Sequence, residues 1–210
     1  MRGSKCGSLA ISVAPTAWGP AAWHVLHRMS FQLDGEDAAR FFGSVQAILP
    51  CAKCRTNMLE HLQHLPIPQY QDEDQHHDDI AIAKWVWQLH ARVSQSIAKP
   101  SHNYKRPTFA SVKKRYQKNN TMEDEAPFLR ALLKTHPGSR VAAKHPDYLT
   151  SLQTFMHFYL SLSISISPHN QHQHQDQDHA TTWLQSKTEF KQLLAKLCTP
   201  TKHITLPECT

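Results

Sequence analysis

The stretch Leu49-Pro50-Cys51-Ala52-Lys53-Cys54-Arg55 sets two cysteines three positions apart, directly after a proline. A disulfide between them closes a very short loop and restricts the unfolded chain little, so stapling is a poor reason for the pair. Redox exchange and metal binding are better reasons. At a helix N-terminus the thiolate form of a sulfur is favoured. Arg55 places positive charge beside the pair, which is expected to lower a thiol pKa. Zinc would need a second pair of ligands. His61 and His64 stand nearby as His-x-x-His, but with little loop to fold round a metal.

Outward from the pair, apolar residues recur at helical spacing. Pro50 breaks or restarts a helix, and a helix is expected from Cys51 to His64 with Met58, Leu62 and Leu65 inward. Before it, Phe41, Phe42, Val45, Ile48 and Leu49 make the apolar face of a helix over residues 38–49. Upstream again a helix starts at Thr16, which can cap it, with Trp23, Leu26, His27 and Ser30 on one face. Residues 66–79 read as a loop. The clearest period follows: Ile80, Ile82, Ala83, Val86, Trp87, His90, Val93 and Ile97, stopped by Pro100. Residues 101–107 read as a loop and 108–117 as a short fifth helix.

Four helices with short connections pack as a bundle. The expected fold is all-α. A flexible arm (1–15) precedes a four-helix bundle with a short fifth helix (16–118), and a C-terminal helical extension (119–210) follows. The extension opens on a polar segment punctuated by Pro127, Pro137, Gly138 and Pro146, then forms a helix over 148–163. Residues 168–179 are a low-complexity His/Gln/Asp loop whose histidines fix no metal geometry. A further helix over 183–197 ends at Cys198. The extension reads either as a small added domain or as a segment packed on the bundle.

Lys plus Arg number 23 against 17 Asp plus Glu, a net charge of +6. The charges do not gather into one long tract, so the reading is an ordinary soluble surface, with no nucleic acid and no membrane as partner. Five cysteines are too few for a disulfide scaffold in 210 residues. No stretch is long and apolar enough to span a bilayer. Residues 6–17 form no apolar core of a secretory signal.

Three boxes flank and include the cysteine pair. They are Trp18-Gly19-Pro20-Ala21-Ala22-Trp23 with His24 and His27, then Pro50-Cys51-Ala52-Lys53-Cys54-Arg55, then Trp85 to Ser94 followed by Lys99-Pro100. Their order and spacing over residues 15 to about 116 resemble the Erv/ALR family of FAD-linked sulfhydryl (thiol) oxidases. The short match and the unrelated C-terminal region lean toward a divergent protist-like or viral member. The resemblance implies FAD as cofactor, dithiol protein substrates, molecular oxygen as electron acceptor, hydrogen peroxide as product, and a homodimer. It implies the mitochondrial intermembrane space, or the cytoplasm or virion for a viral member. The alternative reading is a non-catalytic redox or zinc-binding helical interaction module.

By resemblance, Cys51 is the sulfur exposed to substrate and Cys54 the one beside the flavin. The residues implied to hold FAD are Trp18, Gly19, Trp23, His27, Cys54, His90, Arg92, Val93, Ser94, Lys99 and Tyr116. The family run His-Asn-x-Val-Asn stands here as His90-Ala91-Arg92-Val93-Ser94, so both asparagines are replaced. The chain carries no cysteine between Cys54 and Cys198, and so lacks a second structural pair beside the bundle. Cys198 and Cys209 fit a mobile shuttle dithiol. A structural disulfide pinning the tail fits them equally, and Cys6 reads as a lone or intersubunit thiol.

Overall fold

The computed structural model describes residues 14–33, 35–68, 80–98, 105–118, 124–136 and 146–165. Among these residues the fold is all-helical. Cys6, Lys99, Cys198, Cys209, the 168–179 tract and the helix expected over 183–197 lie outside them.

Helix α1 spans Pro15–Met29. Pro15 opens it, where a missing N–H costs nothing and a fixed φ favours the helix. Thr16 does not cap it as expected. Ala14 stands at the N-cap and no side chain caps the helix, so Thr16 already lies within the first turn. A tight exit, with Ser30 Oγ donating to the His27 carbonyl at 2.7 Å, leads to Gly35. That residue has φ +50°, a left-handed conformation that glycine adopts without steric cost.

Helix α2 spans Gly35–Ile48 with Glu36 and Asp37 in its first turn, where negative charge meets the positive end of the helix dipole. Helix α3 spans Ala52–His64 and helix α4 Ala81–Ile97. The expected apolar face of α4 is rotated in the structure. Trp85 and Leu89 are buried, whereas Ile97 is 71% exposed. Trp85 Nε1 donates to the Leu65 carbonyl at 3.2 Å, tying α4 to the end of α3. Trp87 instead lies toward the surface, donating to the Pro107 carbonyl at 2.8 Å with the Arg106 guanidinium 3.3 Å from its ring. Helix α5 spans Phe109–Lys118.

Two more helices follow among the described residues. Helix α6, Ala126–Thr135, begins with Pro127 in its first turn and buries Phe128, Leu129, Ala131 and Leu132. It falls in the segment expected to be polar connection. The signal was there, since apolar residues recur three and four apart immediately after a helix-starting proline. Helix α7 spans Pro146–Ser165.

These two helices are not a separate body. Phe41 of α2 stacks on Phe155 of α7 at 5.2 Å, and Trp18 of α1 stacks on Phe128 of α6 at 5.7 Å. Phe128 in turn meets Phe155 edge-on at 5.9 Å. One continuous core holds residues of α1, α2, α3, α4, α6 and α7. No helix among the described residues is long and apolar enough to cross a membrane.

Candidate active site

The cysteine pair sits where α2 hands the chain to α3. Cys51 is the N-cap residue of α3, in extended conformation, and its sulfur accepts the Cys54 backbone N–H at 3.3 Å. This is the geometry in which a helix N-terminus holds a sulfur against its free N–H groups. The approach is braced from both sides. Arg55 Nη1 donates to the Leu49 carbonyl at 2.6 Å, and Gln46 Nε2 donates to the Arg55 carbonyl at 3.2 Å. Both cysteines are half-buried, free thiols that pack against the core.

The expected lowering by Arg55 does not prevail at Cys54. Burial pushes its thiol up to about 12, aided by a hydrogen bond to Cys51 and by Cys51's charge, and Arg55 offsets only part of this. The guanidinium is engaged by a carbonyl of the preceding loop, while desolvation acts directly on the sulfur. Reduced Cys54 is therefore held as a thiol.

A second constellation gathers rings from three helices. Trp23 of α1 stacks on His90 of α4, with centroids 4.1 Å apart and planes 9° from parallel. His27, one turn on from Trp23, places Nε2 3.0 Å from His90 Nδ1. Its other face stacks on Tyr116 of α5 at 4.8 Å and 17°. Burial lowers His27 to about 3, helped by His90, His24 and Arg115, and lowers His90 to about 4. At neutral pH both are uncharged flat rings. His27 Nδ1 is buried without a hydrogen-bond partner.

Trp23, His27, His90 and Tyr116, four of the residues singled out by sequence, thus meet in one cluster. Others lie apart. Trp18 is buried in the core and stacks on Phe128. Gly19 lies within α1, and a Cβ added there meets nothing within 4 Å, so no protein group approaches closely. Arg92 is exposed, and Val93 and Ser94 are half-buried further along α4. Arg92 disfavours charge on His61, whose pKa falls chiefly through burial. His61 Nε2 lies 3.4 Å from Ser96 Oγ. Among the described residues, no three or more His, Cys, Asp or Glu side chains gather as a metal site.

Sequence reading missed the charged group beneath the rings. Arg28 and Glu125 are only 2% and 1% exposed and form an ion pair, Nε to Oε1, at 2.6 Å. His24, on the same face of α1, meets the edge of Tyr116 at 5.1 Å.

No curated protein and no solved structure matches the chain. Residues 20–117 match the model of the Erv1 / Alr family. That span holds both the cysteine pair and the ring cluster, and over it the chain is similar to the Erv1 / Alr family.

Proposed function

We propose that the protein is an FAD-dependent thiol oxidase that forms disulfides in protein substrates. The observation that carries this is the conjunction, inside the family span, of a Cys-x-x-Cys pair at a helix N-terminus with a cluster of flat, uncharged rings. Aromatic walls, neutral imidazoles and an unpartnered buried nitrogen on His27 suit a flat heteroaromatic group with polar edge atoms. Trp23, His27, His90 and Tyr116 would hold FAD, with Lys99 an expected contact. When bound, FAD supplies the capacity to take two electrons from a dithiol and pass them to oxygen.

The chain's own residues do the rest by thiol–disulfide exchange. A substrate thiolate attacks Cys51 Sγ of the oxidised pair, the Cys51–Cys54 bond breaks, and Cys54 leaves carrying the electron pair. A second substrate thiolate attacks the substrate sulfur of the mixed disulfide, releasing Cys51 and completing the substrate disulfide. The pair has then gained two electrons and the substrate has lost two. Burial raises the Cys54 pKa, which slows its departure as a thiolate, and Cys54 takes up a proton from solvent once released. The homodimer implied by the resemblance would use faces other than those of α1 and α2 that α6 and α7 cover.

The test is the visible spectrum of the purified protein with dithiothreitol in air, followed with oxygen uptake. The expected result is a flavin band at about 450 nm, bleaching when oxygen is exhausted, with uptake abolished in Cys54→Ser. A protein that stays colourless after refolding with FAD and consumes no oxygen overturns the reading.

A further inference from the structure

Glu125 lies in the segment after the family match, immediately before α6. Its two oxygens accept from Arg28, Oε1 from Nε at 2.6 Å and Oε2 from Nη2 at 3.0 Å. Tyr159 of α7 donates its hydroxyl to Oε2 at 2.8 Å. Arg28 also donates Nη1 to Gln32 at 3.1 Å and lies 5.3 Å from the Tyr159 ring centroid. Three distant stretches of chain thus converge on one buried carboxylate. Buried ion pairs contribute little net stability because desolvation offsets their attraction. Their attested use is to fix one arrangement among several.

What this one fixes is visible along α1. Arg28 is one turn from His24 and adjacent to His27. His24 Nε2 lies 3.9 Å from Glu125 Oε1 and makes no hydrogen bond, and Nδ1 lies 3.7 Å from Asp124. Burial lowers the His24 pKa even though Glu125 and Asp124 both raise it, with Arg115 and Arg28 lowering it further. His24 is therefore a neutral wedge between these carboxylates and the edge of Tyr116. From Tyr116 ring contacts continue to His27, His90 and Trp23.

We propose that Glu125 is a positioning residue of the cofactor site: it locks Arg28, backs His24, and so sets the register of the Tyr116, His27, His90 and Trp23 rings. This rests on the FAD reading above. The site then includes a buttress that the family span does not contain, delivered by the approach to α6 and held by α7.

The experiment compares Glu125→Gln, Tyr159→Phe and Leu152→Ala. Leu152 is fully buried on α7, two turns from Tyr159, and serves as a destabilised control outside the cluster. Two quantities are read on the whole chain: the ring carbon–proton NMR resonances of His24, His27 and His90 without FAD, and the FAD dissociation constant. Glu125→Gln is expected to shift the His27 and His90 resonances and to weaken FAD about tenfold, the loss expected when a hydrogen bond to a charged group is spoiled. Tyr159→Phe should do the same to a smaller degree, and it carries the test where Glu125→Gln does not fold. Leu152→Ala should lower the melting temperature yet leave both readouts near wild type. Unmoved ring resonances in folded Glu125→Gln, or equal shifts in Leu152→Ala, overturn the proposal. Wild-type protein that binds no FAD sinks the FAD reading instead, and the resonances still decide whether Glu125 positions the rings.

Discussion

Helices α3 and α7 both pack on α2, and they bring it opposite things. Helix α3 buries one residue, Met58, and otherwise rests on the core through half-buried side chains that include Cys54. Helix α7 buries Leu152, Phe155, Met156, Phe158, Tyr159 and Leu160. The cysteine pair thus sits at the start of the lightly anchored helix, which is where the proposed function has a protein substrate meet Cys51. The burial that fixes α2 comes largely from a helix outside the family span. The division separates reactivity from rigidity, and each side of it can be broken on its own.

The largest expected effect is on a chain ending at residue 120. It leaves the α2 face of Phe41 and Phe42 and the α1 face of Trp18 uncovered, and leaves Arg28 buried or exposed without Glu125. Loss of the cooperative unfolding transition is expected, as seen by circular dichroism. A truncated chain that melts cooperatively near the whole chain's midpoint would dissolve the contrast.

Single substitutions sharpen it. Phe155→Ala should cost about 3–5 kcal/mol, the usual loss for a fully buried aromatic. Leu59→Ala on the exposed side of α3, 49% exposed, should stay within about 0.5 kcal/mol. Urea unfolding of both variants measures the difference directly.

The two sites should also differ in their response to pH. His27 and His90 titrate at about 3 and 4 when folded, against about 6.5 when unfolded. Below that unfolded value the unfolded chain binds more protons than the folded one. Stability is therefore full above about pH 6.5 and falls as pH drops toward 4, by roughly 1–3 kcal/mol per pH unit for the two rings together. His27→Phe should flatten that slope in urea melts run from pH 7 to 5. At the pair the visible effect is on reactivity. Iodoacetamide should label Cys54 of the reduced protein only slowly at pH 8, because burial holds it as a thiol. Rapid Cys54 labelling there would show a lowered pKa and contradict the burial account.

Much of this was legible in the chain. The apolar periods of residues 38–49 and 51–64 place α2 and α3 within a few positions, and the proline-cysteine junction falls between them as read. Trp23, His27 and His90 were named from the boxes and Tyr116 from the resemblance, and the four do meet. Elsewhere the sequence was ambiguous for physical reasons. Trp85 and Trp87 are two positions apart, and a helical period accommodates either inward until the partner is known. The partner is the Leu65 carbonyl, which selects Trp85. Arg28 and Glu125 were invisible because charged residues are almost never fully buried unless paired, and their pairing spans 97 positions. Helix α6 was passed over because Pro127 was read as a break, although it stands in the first turn of the helix.

Under the proposed oxidase function, electrons enter at Cys51, pass to Cys54, and leave through a cofactor held by the rings of α1, α4 and α5. Anaerobic titration of the FAD-loaded whole chain with dithiothreitol tests it most directly. The expected result is full bleaching of the flavin band after about two equivalents, one for the cysteine pair and one for the flavin. In Cys54→Ser the band should stay unbleached over the same interval. Flavin reduced at the wild-type rate in Cys54→Ser would contradict it.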